Sequence, residues 1–154
     1  MKTKVLLAVV ALSYSPLVVA GNEAAYPKEK VAAFVVEKLD LTSLPSEFRP
    51  KKEKGKKTLA DYGFTAQRTD ENEAIVEASG MRRLTIKVLD EKSSGIYVCV
   101  TEPGENGGDP KAQSVVLLKR KNSNALLKGH ESLREFAVCP VIGGSDSATN
   151  SYVN

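Results

Sequence analysis

The chain has 154 residues, with 22 basic side chains against 19 acidic ones, one histidine, two cysteines and no tryptophan. A length of this order predicts one domain with a sizeable core. Beyond the N-terminal stretch no apolar run approaches the roughly 20 residues that a bilayer-spanning helix needs, and the missing tryptophan removes the usual platform for stacked sugars.

Lys2 and Lys4 precede an apolar run from Val5 to Leu12, then Ser13, Tyr14, Ser15 and Pro16, with Val18 and Ala20 placed just before Gly21. A basic start, an apolar centre and small residues ahead of a cleavage point are the pattern of a secretory signal peptide, so residues 1–20 are expected to be removed on export. The competing reading, a membrane anchor, asks for a longer and uninterrupted apolar run. Two basic residues leave with residues 1–20 and no acidic ones do, so residues 21–154 carry a net charge of +1. The expected destination is the periplasm or the exterior. In such an oxidising compartment Cys99 and Cys139 are expected to pair, and closing their loop stabilises the fold by about 4 kcal/mol in the chain-entropy model. A redox pair or an intermolecular bridge is the alternative, but the Cys-x-x-Cys spacing is absent.

Residues 21–142 are expected to form the globular domain and residues 143–154, rich in small polar side chains, a mobile tail. Pro27 offers a first helical position, and Val31, Phe34, Val35 and Leu39 then follow a helical spacing, which predicts an amphipathic helix over residues 27–39. The β-prone Phe34-Val35-Val36 leaves a strand open as the alternative. Residues 41–50 lose periodicity around Pro45 and Pro50 and read as an irregular connector with Leu44 and Phe48 tucked under the core. The next stretch, Arg49-Pro50-Lys51-Lys52-Glu53-Lys54-Gly55-Lys56-Lys57, holds six positive charges against one negative. It is either a solvated loop or a contact for an acidic partner. Nucleic acid is not the expected partner, because stacking aromatics and a recognition helix are both missing.

From residue 61 the period becomes that of strands. Tyr62–Arg68 and Ala74–Ala78 are expected as the first two, Leu84–Val88 as a third with alternating faces, and Asp90–Gly95 as a loop. The unbroken apolar run Ile96–Val100 predicts a central strand covered on both faces, hairpin-paired with Leu84–Val88. Residues 102–110 read as an exposed loop. Its Glu102, Glu105, Asn106 and Asp109 supply oxygen ligands, but without the spacing of a calcium loop, so no metal is expected. Ser114–Lys119 is a further strand that ends in the polar turn 119–124, and residues 125–129 fit a short strand or a helical turn. Ser132–Cys139 is expected as the last strand.

His130, the one histidine, falls in a predicted loop between Gly129 and Glu131, and no Gly-x-Ser-x-Gly elbow, phosphate loop or dinucleotide fingerprint accompanies it. No catalytic residue, cofactor or metal is therefore assigned. The expected fold class is α+β, an N-terminal helix on a mostly antiparallel meander of about five to seven strands with one disulfide. An all-β small barrel is the alternative. The expected function is an exported, non-enzymatic module that recognises another protein of the envelope or exterior, as inhibitors and immunity proteins do. The candidate contacts are Arg49, Lys51, Lys52, Lys54, Lys56 and Lys57, with Glu102, Glu105 and Asp109. An envelope-surface protein that uses residues 49–57 on anionic polymer or lipid is the second reading, and a small hydrolase the third.

Overall fold

The computed structural model describes residues 26–80, 82–104 and 108–140. The expected signal peptide, the tail 143–154 and Glu105 lie outside these residues. The chain is mostly sheet. One short helix, α1 (Val31–Lys38), leads directly into a two-residue strand, β1 (Leu39–Asp40), and a 3-10 turn at Leu41–Ser43. Six further strands follow: β2 (Phe64–Thr69), β3 (Glu73–Ala78), β4 (Arg82–Lys92), β5 (Gly95–Glu102), β6 (Ala112–Lys119) and β7 (Leu127–Glu131). They form one curled, half-barrel sheet in the order β1-β7-β6-β5-β4-β3-β2. From β2 to β7 every neighbour is antiparallel and sequential, a meander, and β1 closes the far edge by pairing parallel to β7 through Leu39 with Leu127 and Asp40 with Lys128. The all-β, barrel-like alternative fits this architecture.

The helix is shorter than residues 27–39 because Lys30 takes a left-handed conformation (φ 53°, ψ 39°), which ends the preceding bend and moves the first helical residue to Val31. Lys30 offers no side-chain cap; instead the Ala32 N–H donates to the Glu71 carbonyl in the β2–β3 turn, 3.2 Å away. Eight residues are too few for an isolated helix. Burial of Val31 and Val35 among the side chains of the concave sheet face holds it.

Strand β5 organises the two sides of the sheet. Ile96, Val98 and Val100 point into the main core with Val76, Leu84, Ile86, Val116, Leu118 and Leu127, and each such side chain contributes about 1.5–3 kcal/mol by leaving water. Its other face carries Tyr97 and Cys99, so the strand is covered on both sides, as its unbroken apolar run predicts. The β4–β5 hairpin also forms, but β4 is longer than Leu84–Val88 and absorbs most of the expected loop 90–95. Its ladder resumes beyond an irregularity between Val88 and Asp90 and reaches Lys92, opposite Gly95. Only Ser93 and Ser94 turn the chain. Leu44 and Phe48 are buried as expected, joined by Leu59 from the segment after the basic run.

Residues 132–139 are not a strand. β7 is the short segment at 127–131, which resolves residues 125–129 towards strand, and its outer edge is taken by β1. Beyond Glu131 the chain instead crosses the convex face of the sheet as an irregular arm that ends in a turn at residues 137–139. Phe136 and Cys139 are the side chains that turn inward, where Cys99, Val115, Tyr97 and Leu89 form a small second cluster. Leu133 and Val138 face solvent, 101% and 63% exposed. The Cys99–Cys139 disulfide staples this arm to β5, with the Cα atoms 5.9 Å apart. Arg134 adds a second fastening: its guanidinium lies 5.0 Å from the Tyr97 ring centre and 4.7 Å from that of Phe136, and it donates to Asp90 at 2.6 Å. That contact holds the Asp90 carboxyl below its ordinary value of 3.8. No helix among the described residues is long and apolar enough to cross a membrane.

Candidate anion-binding cleft

The basic run at 49–57 is ordered by its own side chains. Glu53 pairs with Lys56 at 2.7 Å, and this hydrogen bond raises the Lys56 ammonium above its ordinary value of 10.5. Lys56 also lies over the Tyr62 ring, 5.6 Å from its centre, while the Tyr62 hydroxyl accepts from the Glu53 N–H at 3.2 Å. Asp61 accepts from the N–H groups of Thr58 and Lys57 at 2.8 and 2.9 Å, contacts that lower its pKa from 3.8. Three more backbone contacts fix where the run ends. The Leu41 N–H donates to the Lys57 carbonyl at 2.8 Å, Thr58 bridges antiparallel to Asp40, and Asp40 pairs with Lys128.

Lys57 is thereby laid against the open edge of the sheet. On the convex face there, Lys119 of β6 stands directly opposite Lys128 of β7, and His130 opposite Leu117. Like charges opposed across an antiparallel pair destabilise it, so this arrangement asks for compensation. Asp40, in register with Lys128 on its other side, offsets part of the repulsion; but among the described residues Lys57, Lys119, Lys121 and Lys128, like the exposed Lys51, Lys52 and Lys54, have no ion-pair partner, whereas Lys38, Lys56, Arg68, Arg82, Arg83, Lys92 and Arg134 each have at least one. The four lysines line a cleft of about 400 Å³ together with Arg120, His130 and the apolar Ala125 and Leu126. Arg120 is fixed in place, stacked over the rings of Tyr26 and Phe34 and donating to the Ser123 carbonyl at 2.8 Å. Among the described residues Asp40 is the one carboxylate in the cleft wall, and its Oδ1 already accepts from the Thr42 N–H and hydroxyl at 3.1 and 2.6 Å.

The remaining candidates scatter. Arg49, Lys51, Lys52 and Lys54 are exposed along the loop and outside the cleft, and Lys56 is held by Glu53. Glu102 is occupied internally, because Arg82 grips its Oε2 at 3.1 and 3.2 Å and also donates to the Glu47 carbonyl, while Glu47 accepts from the Ser114 hydroxyl. Asp109 is exposed near Gly104. His130 belongs to β7 rather than to a loop, and the Ser132 hydroxyl beside it accepts from the Arg134 N–H. Among the described residues no three histidine, cysteine or acidic side chains gather as a metal site would require.

Sequence reading finds Lys57 but passes over Lys119, Lys121 and Lys128, which look like ordinary turn residues. The available signal is the spacing itself: a strand at 125–129 that returns beside 114–119 brings Lys119 and Lys128 to neighbouring strands at the same end of the hairpin. No family model, curated protein or solved structure matches the chain.

Proposed function

We propose that this protein is an exported, non-enzymatic binding module that recognises an acidic region of another protein in the envelope or exterior. One observation carries the reading: two segments far apart in sequence, the loop ending at Lys57 and the β6–β7 hairpin bearing Lys119, Lys121 and Lys128, converge so that four lysines without ion-pair partners among the described residues share one cleft. Such a concentration of one sign raises the encounter rate with an oppositely charged partner and fixes its orientation. The three-part pattern of residues 1–20 and the Cys99–Cys139 bond support export.

The test is capture by the tagged chain from an envelope extract at low and moderate salt. A partner held through the cleft is lost from Lys119→Glu and Lys128→Glu and retained by Lys51→Glu and Lys52→Glu. Capture that ignores all four substitutions sinks the proposal. A second reading, contact with anionic polymer or lipid through the loop, is favoured by the exposure of Arg49, Lys51, Lys52 and Lys54. It predicts the opposite sensitivity, with the loop substitutions costing the most.

A further inference from the structure

A single exposed leucine is ordinary on a protein surface, but the setting of Leu133 is not. Among the described residues Leu133 and Val138 are the only large apolar side chains left in solvent, and both belong to the arm at residues 132–139. From Ser132 to Phe136 the chain makes neither turn nor bend, so Leu133 projects from an extended course. Its N–H and carbonyl, like those of Glu135, enter no hydrogen bond among the described residues. The segment therefore offers unpaired main chain and a protruding apolar side chain together. A cleft that pairs with an extended strand and pockets one of its side chains takes hold of both.

The same stretch is fixed on either side of the Leu133–Arg134 peptide bond. Upstream, Glu131 is still in the sheet, opposite Val116 of β6. Downstream, the Arg134 guanidinium donates to Asp90 at 2.6 Å and lies over the rings of Tyr97 and Phe136, while its N–H donates to the Ser132 hydroxyl at 3.1 Å. Further along, Cys139 is bonded to Cys99. Arg134 is thus held inward, and Leu133 is the side chain placed to enter a pocket. A segment ordered in advance gives up little conformational freedom on binding, the condition met by protease inhibitors that bind tightly with little movement.

From this arrangement we infer that the arm is an inhibitory loop for a serine endopeptidase with an apolar specificity pocket, with Leu133 in the pocket and the Leu133–Arg134 bond at the catalytic serine. The inference goes beyond the cleft reading and uses a different surface. Attack of the endopeptidase serine oxygen on the Leu133 carbonyl carbon forms the acyl ester, breaks the bond to the Arg134 nitrogen and passes the serine proton to that nitrogen. Fastened to Asp90, Tyr97 and Phe136, the new amine stays beside the ester. Its return to the acyl carbon expels the serine oxygen, gives back the proton and restores the peptide bond. In an untethered loop the amine departs and water completes hydrolysis, so the anchors separate an inhibitor from a substrate.

The experiment is inhibition of chymotrypsin by the oxidised chain, with trypsin as the contrast and mass spectrometry of the chain after incubation. The expected result is inhibition of chymotrypsin at near-stoichiometric ratio, none of trypsin, and a chain that stays intact. Leu133→Asp should weaken inhibition by about 30-fold or more, as loss of a hot-spot residue does. Leu133→Lys should transfer inhibition to trypsin, a gain that a misfolded chain could not show. Arg134→Gln keeps the leucine but releases the amine, and should turn the chain into a substrate cut between residues 133 and 134. Absence of chymotrypsin inhibition overturns the inference, as does inhibition that survives Leu133→Asp, or cleavage of the unaltered chain after Leu133 as fast as that of Arg134→Gln. None of these variants alters a cleft lysine, so capture that depends on Lys119 and Lys128 stands or falls separately.

Discussion

Replacing Lys119 with glutamate is predicted to stabilise the unliganded protein while weakening its binding of anions. Lys119 and Lys128 are direct cross-strand partners on the convex face, and both are exposed. Such a pair of like charges costs a few tenths of a kcal/mol, and an opposite pair gains as much, so Lys119→Glu swings the interaction by about 0.5–1 kcal/mol. The neighbouring Lys57 and Lys121 add to the gain in the same direction. For a protein of this size the melting temperature should rise by about 2–5 °C at low salt. The gain should fade near 1 M salt, where the Debye length is about 3 Å. The assay is a double-mutant cycle by thermal and urea unfolding, with Lys128→Gln as the second substitution. In that background Lys119→Glu should lose most of its benefit. A coupling energy of zero, or a stability gain indifferent to salt, refutes the claim that the two ammonium groups repel each other across the β6–β7 pair.

Removing the staple with Cys99→Ala and Cys139→Ala together should cost about 4 kcal/mol of unfolding free energy in urea and leave capture through the cleft intact; a cost below about 1 kcal/mol shows that the arm is held mainly by Arg134 and Phe136. Asp90 has a depressed carboxyl pKa when folded, so its contribution is present above the ordinary 3.8 and is lost as pH falls through the lower folded value. NMR titration should place its midpoint below 3.8 in the native chain and move it upwards in Arg134→Gln; an unmoved midpoint assigns the shift to something other than Arg134. Phe48 is completely buried although it lies in an irregular connector, so Phe48→Ala should cost about 3–5 kcal/mol, a core-sized loss. A cost under about 1 kcal/mol would mean that the connector does not pack.

Much of the fold follows from local pattern. The unbroken apolar run at Ile96–Val100 requires cover on both faces, and the sheet supplies it with the core on one side and the arm on the other. The arm itself is illegible at that level, because Ser132–Cys139 alternates well enough to pass for a strand. The missing constraint is topological. Both edges of β5 are filled by β4 and β6, so a residue bonded to Cys99 can reach it only from above the sheet, and a segment lying on a sheet face has no ladder to join. The helix start is lost for a similar reason, since nothing local in Lys28-Glu29-Lys30 announces a left-handed residue. The cleft is half legible: the density of charge at 49–57 draws attention to the loop, yet only Lys57 enters the cleft. Its partners are separated from it by the whole meander and are set beside it by the pairings of Asp40 with Thr58 and with Lys128.

The parallel pairing of β1 with β7 also governs the order in which the chain can be completed. Leu39 lies near the beginning of the described residues and Leu127 near their end, and both are fully buried against each other's strand. A nascent chain can zip its meander hairpin by hairpin, through contacts between neighbours in sequence. The segment from Val31 to Phe48, however, holds a row of buried side chains whose closing edge does not exist until β7 has emerged. Pairing of this sequence separation is slow to find, because loop closure comes before any reward. A ribosome-bound fragment that stops before residue 127 should therefore stay protease-sensitive through residues 31–48, even where the hairpins of β2 to β5 have already formed.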